Sequence, residues 1–140
     1  MDEKCKDRVE RELVSRIEDL VKLWELYKED SDASDEDLGN IYEYGLAFDY
    51  VAPETFGDDQ PEGYFRYQLS WGGPSDEFRI YANKKGSYDW TVYRIEYWFL
   101  DWFDGAKKIL SGQAYQLLGD IFQDLKECGT VQAEFDKASS

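Results

Sequence analysis

The sequence predicts a single α+β domain over residues 1–140, in which a three-stranded antiparallel meander packs against an N-terminal and a C-terminal helix. Three observations favour this fold. Both ends of the chain repeat apolar residues at helical spacing, and the middle alternates large apolar with polar residues, as strands do. Between the first helix and the sheet lies an acidic helix/loop segment.

The first predicted element is a helix over residues 3–28. Apolar residues three or four positions apart form a stripe on one of its faces: Val9, Leu13, Ile17, Leu20, Trp24 and Tyr27. Acidic residues near the start of this helix favour the positive end of its dipole. We expect the stripe to cover one face of the sheet.

The acidic segment occupies residues 29–63. Ser34 is expected to cap a second, short helix, whose modest apolar face consists of Leu38, Ile41, Tyr42 and Leu46. Proline and glycine punctuate residues 47–63, which are expected to be irregular. Because long loops in compact domains often bind partners, this segment is also a candidate site.

The three strands are predicted within residues 64–100. The first begins at Tyr64, the second runs from Glu77 to Ala82, and the third runs from about Trp90 to Leu100. A period of two assigns the following residues to the core face: Phe65, Tyr67, Leu69, Trp71, Phe78, Ile80, Tyr93, Ile95, Tyr97 and Phe99. Trp90 and Trp98 are expected on the opposite face.

That opposite face carries charges of both signs. Arg66, Arg79 and Arg94 are expected to pair across the strands with Glu77 and Glu96. Residues 66–100 contain four acidic and five basic residues, so such pairs would leave the sheet nearly neutral.

After the sheet, residues 101–106 are predicted to form a tight connection or one helical turn. A final helix is predicted over residues 111–127, with this apolar stripe: Ala114, Leu117, Leu118, Ile121, Phe122 and Leu125. Ser111 suits the N-cap of this helix and Gly129 suits its end. Residues 136–140 are expected to be frayed.

Few residues of the chain suit catalysis or metal binding. The sequence has no histidine and no glycine-rich phosphate loop, which excludes His-based triads and P-loop chemistry. Asp30–Ser34 begins like an EF-hand loop, but Asp35 replaces the required Gly and Ile41 the required Glu. We interpret Asp101 and Asp104 as turn residues. We therefore predict no enzymatic activity, no metal and no cofactor.

The chain is expected to be cytoplasmic. It has no apolar run near the roughly 18 residues that a membrane-spanning helix needs. Its charged N-terminus lacks the apolar core of a secretory signal. The two cysteines, Cys5 and Cys128, are expected to be reduced thiols.

Most of the net charge is concentrated in the acidic segment. Twelve acidic residues and no basic residue lie between Glu29 and Phe65, and they carry −12 of the total −15. They are Glu29, Asp30, Asp32, Asp35, Glu36, Asp37, Glu43, Asp49, Glu54, Asp58, Asp59 and Glu62. Nucleic acid and anionic membranes are excluded as direct partners by repulsion. The expected partner is a cationic surface on another macromolecule.

Three interpretations of this segment are open at this point. The segment is interpreted either as a solvated face, or as a mimic of the nucleic-acid backbone that fills a basic groove, or as a disordered acidic tail. Duplex DNA carries one negative charge per about 1.7 Å of its axis, so ordered carboxylates can occupy part of a phosphate track. The interleaved rings of Tyr42, Tyr44, Phe48, Tyr50 and Phe56 are typical of interfaces and unusual in tails.

Two stretches, GYFRYQLSWGGPSDEFR at residues 63–79 and RIEYWFLDWFDGA at residues 94–106, resemble small accessory proteins of plasmids, phages and integrative elements. From the start of the first stretch to the end of the second, residues 63–106 cover about a third of the chain. In size and acidity the chain is also similar to anti-restriction and anti-CRISPR inhibitors. The first resemblance implies a mobile-element setting, and the second implies inhibition of a host defence protein.

We therefore expect an inhibitor that covers the basic nucleic-acid-binding surface of a CRISPR effector, restriction enzyme or nuclease. The expected contact residues are Asp30, Asp32, Asp35, Glu36, Asp37, Tyr42, Tyr44, Asp49, Tyr50, Glu54, Asp58, Asp59 and Glu62. The three tyrosines are expected to anchor the contact. The alternatives are an immunity protein that neutralises a basic toxin nuclease, an acidic docking subunit, and a small enzyme that uses carboxylates and tyrosine.

Overall fold

A computed structural model describes residues 4–72, 74–87, 89–101 and 104–139. Its elements in chain order are α1 (Cys5–Glu29), α2 (Ile41–Tyr44), β1 (Ala47–Val51), β2 (Tyr64–Ser70), β3 (Ser75–Lys85), β4 (Asp89–Asp101), β5 (Asp104–Ile109), α3 (Gly112–Glu127) and α4 (Thr130–Ser139). The predicted α+β class is confirmed. The predicted start of the first helix at residue 3 lies outside the described residues.

The described sheet has five strands in the order β1-β2-β3-β4-β5, each antiparallel to its neighbour in the chain. The prediction of three strands is therefore wrong in number. β1 lies in the stretch predicted to be irregular, and β5 begins within the predicted connection, of which Trp102 and Phe103 lie outside the described residues. Both are edge strands, which are often short or charged because this discourages further pairing. Their apolar alternation is correspondingly weak.

A β-bulge at Tyr93 reverses the predicted faces of the first half of β4. Tyr81 pairs with Arg94, whereas Ala82 pairs with Val92, so Tyr93 is an extra residue. One extra residue moves every side chain before it to the other face. Trp90 is therefore in the core at 5 % exposure, and Tyr93 is 44 % exposed on the opposite face. Both predictions for these residues are wrong.

Trp71 is also outside the core, contrary to the prediction. The β2 strand ends at Ser70, and the chain turns at Gly72, where φ is 115°. Trp71 therefore no longer follows the alternation of the strand, and its side chain is 77 % exposed.

Residues 136–139, the described part of the stretch predicted to be frayed, form the end of α4. Gly129 follows α3 with a φ of 87°, and a new helix begins at Thr130. Val131 is buried, and the Phe135 ring packs against Tyr50 and Trp90 with centroids 5.1 and 4.8 Å away. These contacts fix α4 against the core, and Ser140 lies outside the described residues.

The hydrophobic core lies between the sheet and the helices. Four rings surround Phe65 with centroids between 4.9 and 5.8 Å from its own: Phe48, Tyr50, Trp90 and Phe122. The helices contribute these buried residues: Val9, Leu20, Leu23, Leu117, Leu118, Ile121, Phe122 and Val131. Since each large buried apolar side chain stabilises the fold by about 1.5–3 kcal/mol, this layer holds the helices to the sheet. The prediction that the first and last helices cover one face is confirmed.

The opposite face of the sheet is a layer of arginines stacked on rings. Arg79 lies over the ring of Trp98 at 3.9 Å and pairs with Glu77 at 2.8 Å. Arg94 lies 3.2 Å from a carboxylate oxygen of Glu96, which is itself buried. Both pairs lie within one strand, β3 or β4, so the predicted pairing across strands is wrong for Arg79 and Arg94. Arg66 pairs with Asp49 and with neither glutamate.

A buried ion pair joins α1 to the sheet. Asp76, only 3 % exposed, accepts two hydrogen bonds from the Arg16 guanidinium at 2.7 and 2.9 Å. It also accepts hydrogen bonds from the hydroxyls of Tyr97, at 2.6 Å, and Ser70. Burial and the hydrogen bond to Asp76 raise the pKa of Tyr97, which keeps that hydroxyl a donor. Four elements, α1, β2, β3 and β4, thus meet at one carboxylate.

Removing this carboxylate should strongly destabilise the protein. Asp76→Ala leaves Arg16 without its carboxylate partner, and we expect the free energy of unfolding to fall by about 3–5 kcal/mol in urea denaturation. The matched control is Asp37→Ala, an exposed side chain with no hydrogen bond or ion pair among the described residues. Similar stability of the two variants would contradict the role assigned to Asp76.

Candidate functional site

The acidic segment is folded, so its interpretation as a disordered tail is wrong. Asp35 forms a closed turn: its backbone exchanges hydrogen bonds with Gly39, and its carboxylate accepts from the amides of Asp37 and Leu38 at 2.9 and 3.1 Å. Gly39 has a φ of 77°, a conformation that glycine adopts without strain. The N-terminal part of the segment therefore has a defined shape.

The short helix of this segment begins later than predicted. Its N-cap is Asn40, which accepts hydrogen bonds from the amides of Tyr42 and Glu43, each at 2.9 Å. The Glu43 carboxylate in turn accepts from the Asn40 amide at 3.2 Å, completing a capping box. The predicted cap at Ser34 is wrong because the turn at Asp35 takes up that part of the chain.

The loop between β1 and β2 is organised by Gln60. Its side-chain amide donates to the carbonyls of Ala52 and Glu62 at 3.0 and 2.7 Å, and its oxygen accepts from the Phe56 amide at 3.0 Å. Gln60 thus supplies the hydrogen bonds that an irregular backbone needs. The loop consequently presents the carboxylates of Glu54, Asp58 and Asp59 to solvent, together with the ring of Phe56 at 61 % exposure.

Three of the twelve acidic residues are paired with bases elsewhere in the chain. Asp35 lies 2.7 Å from Lys22 of α1. Asp49 makes a two-point contact with Arg66 of β2, at 3.0 and 2.7 Å. Glu62 accepts from Arg94 of β4 at 2.7 Å and also from the Tyr93 hydroxyl. These three pairs fasten the segment to α1 and to the sheet at three separate points.

Twelve minus these three leaves nine carboxylates that take part in no ion pair among the described residues. All nine residues are exposed: Glu29, Asp30, Asp32, Glu36, Asp37, Glu43, Glu54, Asp58 and Asp59. Six of them precede β1 and three follow it. The strand between them has five residues, which corresponds to a length of about 17 Å. The segment therefore presents two acidic groups on a fixed frame.

The three predicted tyrosines have different environments. Tyr42 is 51 % exposed, and its hydroxyl donates to Asp124 of α3. The Tyr44 hydroxyl lies between Arg16 and Asp19, at 3.0 and 2.6 Å, and burial raises its pKa to about 12. Tyr50 is half-buried, and its ring packs against those of Phe65 and Phe135 with centroids 4.9 and 5.1 Å away. Of the three, Tyr42 offers the largest exposed surface, and the other two rings mainly support the fold.

Several residues of this surface were not among the predicted contacts. The rings of Trp24 and Tyr27 stack 5.4 Å apart at the end of α1, and the Tyr27 hydroxyl lies 3.1 Å from Asp124. The sequence assigned both rings to the core. The signal that could have found this cluster is the spacing of Asp120, Asp124 and Glu127 on α3, which places three carboxylates on one helical face away from the apolar stripe.

No protein-family model, curated protein or solved structure matches this chain. None of the helices within residues 4–72, 74–87, 89–101 and 104–139 is both long and apolar enough to cross a membrane. Among the same residues, no three Cys, Asp or Glu side chains are grouped as a metal site. Cys5 and Cys128 are free thiols, the first buried and the second exposed.

The pair between Glu62 and Arg94 predicts a specific pH dependence. Hydrogen bonds from Arg94 and Tyr93 hold the pKa of Glu62 below its ordinary value of 4.5. A carboxyl with a lowered folded-state pKa stabilises the fold above about pH 4.5, and this contribution is lost as the pH falls through the folded-state pKa.

Glu62→Gln should therefore be less stable than wild type at neutral pH, by less than about 1 kcal/mol because the pair is partly exposed. Between neutral pH and about pH 3 it should also lose less stability than wild type. Urea denaturation at both pH values measures this difference, with the exposed Glu36→Gln as control. An acid-induced loss in Glu62→Gln as large as that of wild type would refute the assignment.

Proposed function

We propose that this protein is a non-enzymatic inhibitor that acts in the cytoplasm by covering the basic nucleic-acid-binding surface of a host defence protein, such as a CRISPR effector or a restriction enzyme. One observation carries the proposal. Nine exposed carboxylates of one segment have no basic partner among the described residues, and the segment that presents them is folded and fastened to the domain.

The arrangement of these carboxylates suits a surface that binds phosphates. Such surfaces hold lysine and arginine at the spacing of the nucleic-acid backbone. The two acidic groups flank β1 in the chain, and a five-residue strand is about 17 Å long, a distance along which one strand of a duplex places about five phosphates. Acidic groups before and after β1 suit contact with two parts of one phosphate track.

The rigidity of the segment also supports the proposal over a merely solvated face. A solubility face needs charge but no fixed geometry. Here the Asp35 turn, the Asn40 capping box and the Gln60 side chain hold the backbone that carries the carboxylates. A preformed surface loses little conformational entropy when it binds, which favours affinity.

The unpaired charges should also control the rate of association. Opposite charges on two surfaces steer their encounter and raise the association rate constant. This steering weakens as salt is added, since the Debye length falls to about 8 Å at physiological ionic strength.

Two variants with the same net charge separate a specific role of the segment from bulk charge. The segment variant carries D32N, E36Q, D37N and D59N, and the control variant carries E10Q, E18Q, E25Q and D136N. Each removes four of the negative charges, so both change from −15 to −11. All eight substituted residues, four in each variant, have exposed side chains. Thermal unfolding checks that both variants fold.

The readout is transformation of bacterial strains that each carry one CRISPR or restriction system, using a plasmid which that system targets. We expect wild type and the control variant to raise transformation in at least one strain, and the segment variant to be at least roughly tenfold less effective. A segment variant as effective as wild type would contradict the proposal. So would folded wild-type protein without effect in any strain.

A further inference from the structure

A pocket of about 130 Å³ opens where α1, α2, β1 and α3 meet. Rings form much of its wall, from Trp24, Tyr42, Phe48 and Tyr67. The mouth is accessible, because Tyr42 is 51 % and Leu46 is 60 % exposed. The volume is close to the roughly 150 Å³ of a cavity that accepts benzene, so one side chain fits.

One end of this pocket is acidic. Asp124 lines it, and its carboxylate accepts hydrogen bonds from the hydroxyls of Tyr27 and Tyr42. A carboxylate has about four acceptor positions, so it can bind further donors. None of the ion pairs of the described residues involves Asp124.

A second, shallower groove continues from this end along α3. Trp24 and Asp124 line both cavities, and the groove adds Asp120 and Glu127. These two carboxylates accept hydrogen bonds from glutamine amides of their own helix, at 2.8 and 3.1 Å, and take part in no described ion pair. The pocket therefore combines an apolar, aromatic wall with an uncompensated negative charge at its edge.

Two arginine side chains of this protein are already held by an aromatic ring together with a carboxylate. Arg79 lies over the Trp98 ring at 3.9 Å and pairs with Glu77, and Arg94 lies over the Tyr81 ring at 3.9 Å and pairs with Glu96. In both places an aromatic face and a carboxylate hold one guanidinium. The pocket offers the same two partners, rings and a carboxylate, to a group from outside the chain.

We propose that this pocket binds an arginine side chain of a protein partner, with the aliphatic part among the rings of Tyr42 and Tyr67 and the guanidinium between the Trp24 ring and Asp124. Arginine fits better than lysine because its planar guanidinium both stacks on rings and forms two parallel hydrogen bonds to a carboxylate. This inference rests on the proposed function in one respect, that the partner is a basic protein. The preference of the pocket for a guanidinium does not depend on the proposed function.

The test uses N-acetyl-L-arginine methylamide as the probe, titrated into the full-length protein. The readout is the NMR shift of the Trp24 indole N–H and of the backbone amides of Tyr42 and Leu46. N-acetyl-L-citrulline methylamide is the matched control, since it has nearly the same shape without the positive charge. We expect saturable binding of the arginine probe with a dissociation constant on the order of 1–10 mM, and at least roughly tenfold weaker binding of the citrulline probe.

Asp124→Asn, which keeps an acceptor for the two tyrosines, should weaken binding of the arginine probe at least roughly tenfold. Asp136→Asn, the same change on α4, should leave it unaltered. Equal binding of the two probes to wild-type protein would overturn the inference. Undiminished binding of the arginine probe to a folded Asp124→Asn protein would also overturn it. Arginine binding combined with an inactive protein in the transformation assay would uphold the pocket and reject the proposed function.

Discussion

The requirement that buried charges be paired determines how this domain is assembled. A charge removed from water is stable only beside a partner that satisfies it. Arg16 meets Asp76 where α1 crosses the sheet, and Arg79 meets Glu77 on the opposite face. Most charges in the interior and on the sheet are matched in this way, so the sheet is nearly neutral. The net charge of the protein therefore falls on the segment that precedes β2.

That segment uses three of its carboxylates to attach itself and presents the other nine. The attaching residues are Asp35, Asp49 and Glu62, which bind Lys22, Arg66 and Arg94. Attachment at three points, one on α1 and two on the sheet, gives the remaining acids a fixed geometry. The aromatic pocket at Asp124 lies beside Tyr42 of the same segment, so the acidic groups and the pocket belong to neighbouring parts of one surface.

Much of the fold could be predicted from local periodicity, and the errors arise where non-local contacts decide. The helical stripe of α1 and the alternation of β2 and β3 are strong patterns. The bulge at Tyr93 is not visible in sequence, because one extra residue leaves both halves of β4 with good alternation. The apolar alternation of β1 and β5 is weak because both are edge strands, which are often short or charged. The acidic segment was evident from charge alone. The Trp24–Asp124 cluster joins residues one hundred positions apart, so the carboxylate spacing on α3 marks one side of it and does not identify the rings that it meets.

The proposed inhibition requires that this protein and nucleic acid exclude each other on one partner, and this can be measured directly. The measurement is fluorescence anisotropy of a labelled duplex or guide RNA on the defence protein that responds in cells, at increasing concentrations of the acidic protein. Occlusion of the nucleic-acid-binding surface predicts simple competition, in which the apparent dissociation constant of the nucleic acid rises linearly with the concentration of the acidic protein and the effect weakens with salt. A stable ternary complex, in which nucleic acid stays bound at unchanged affinity, would contradict it.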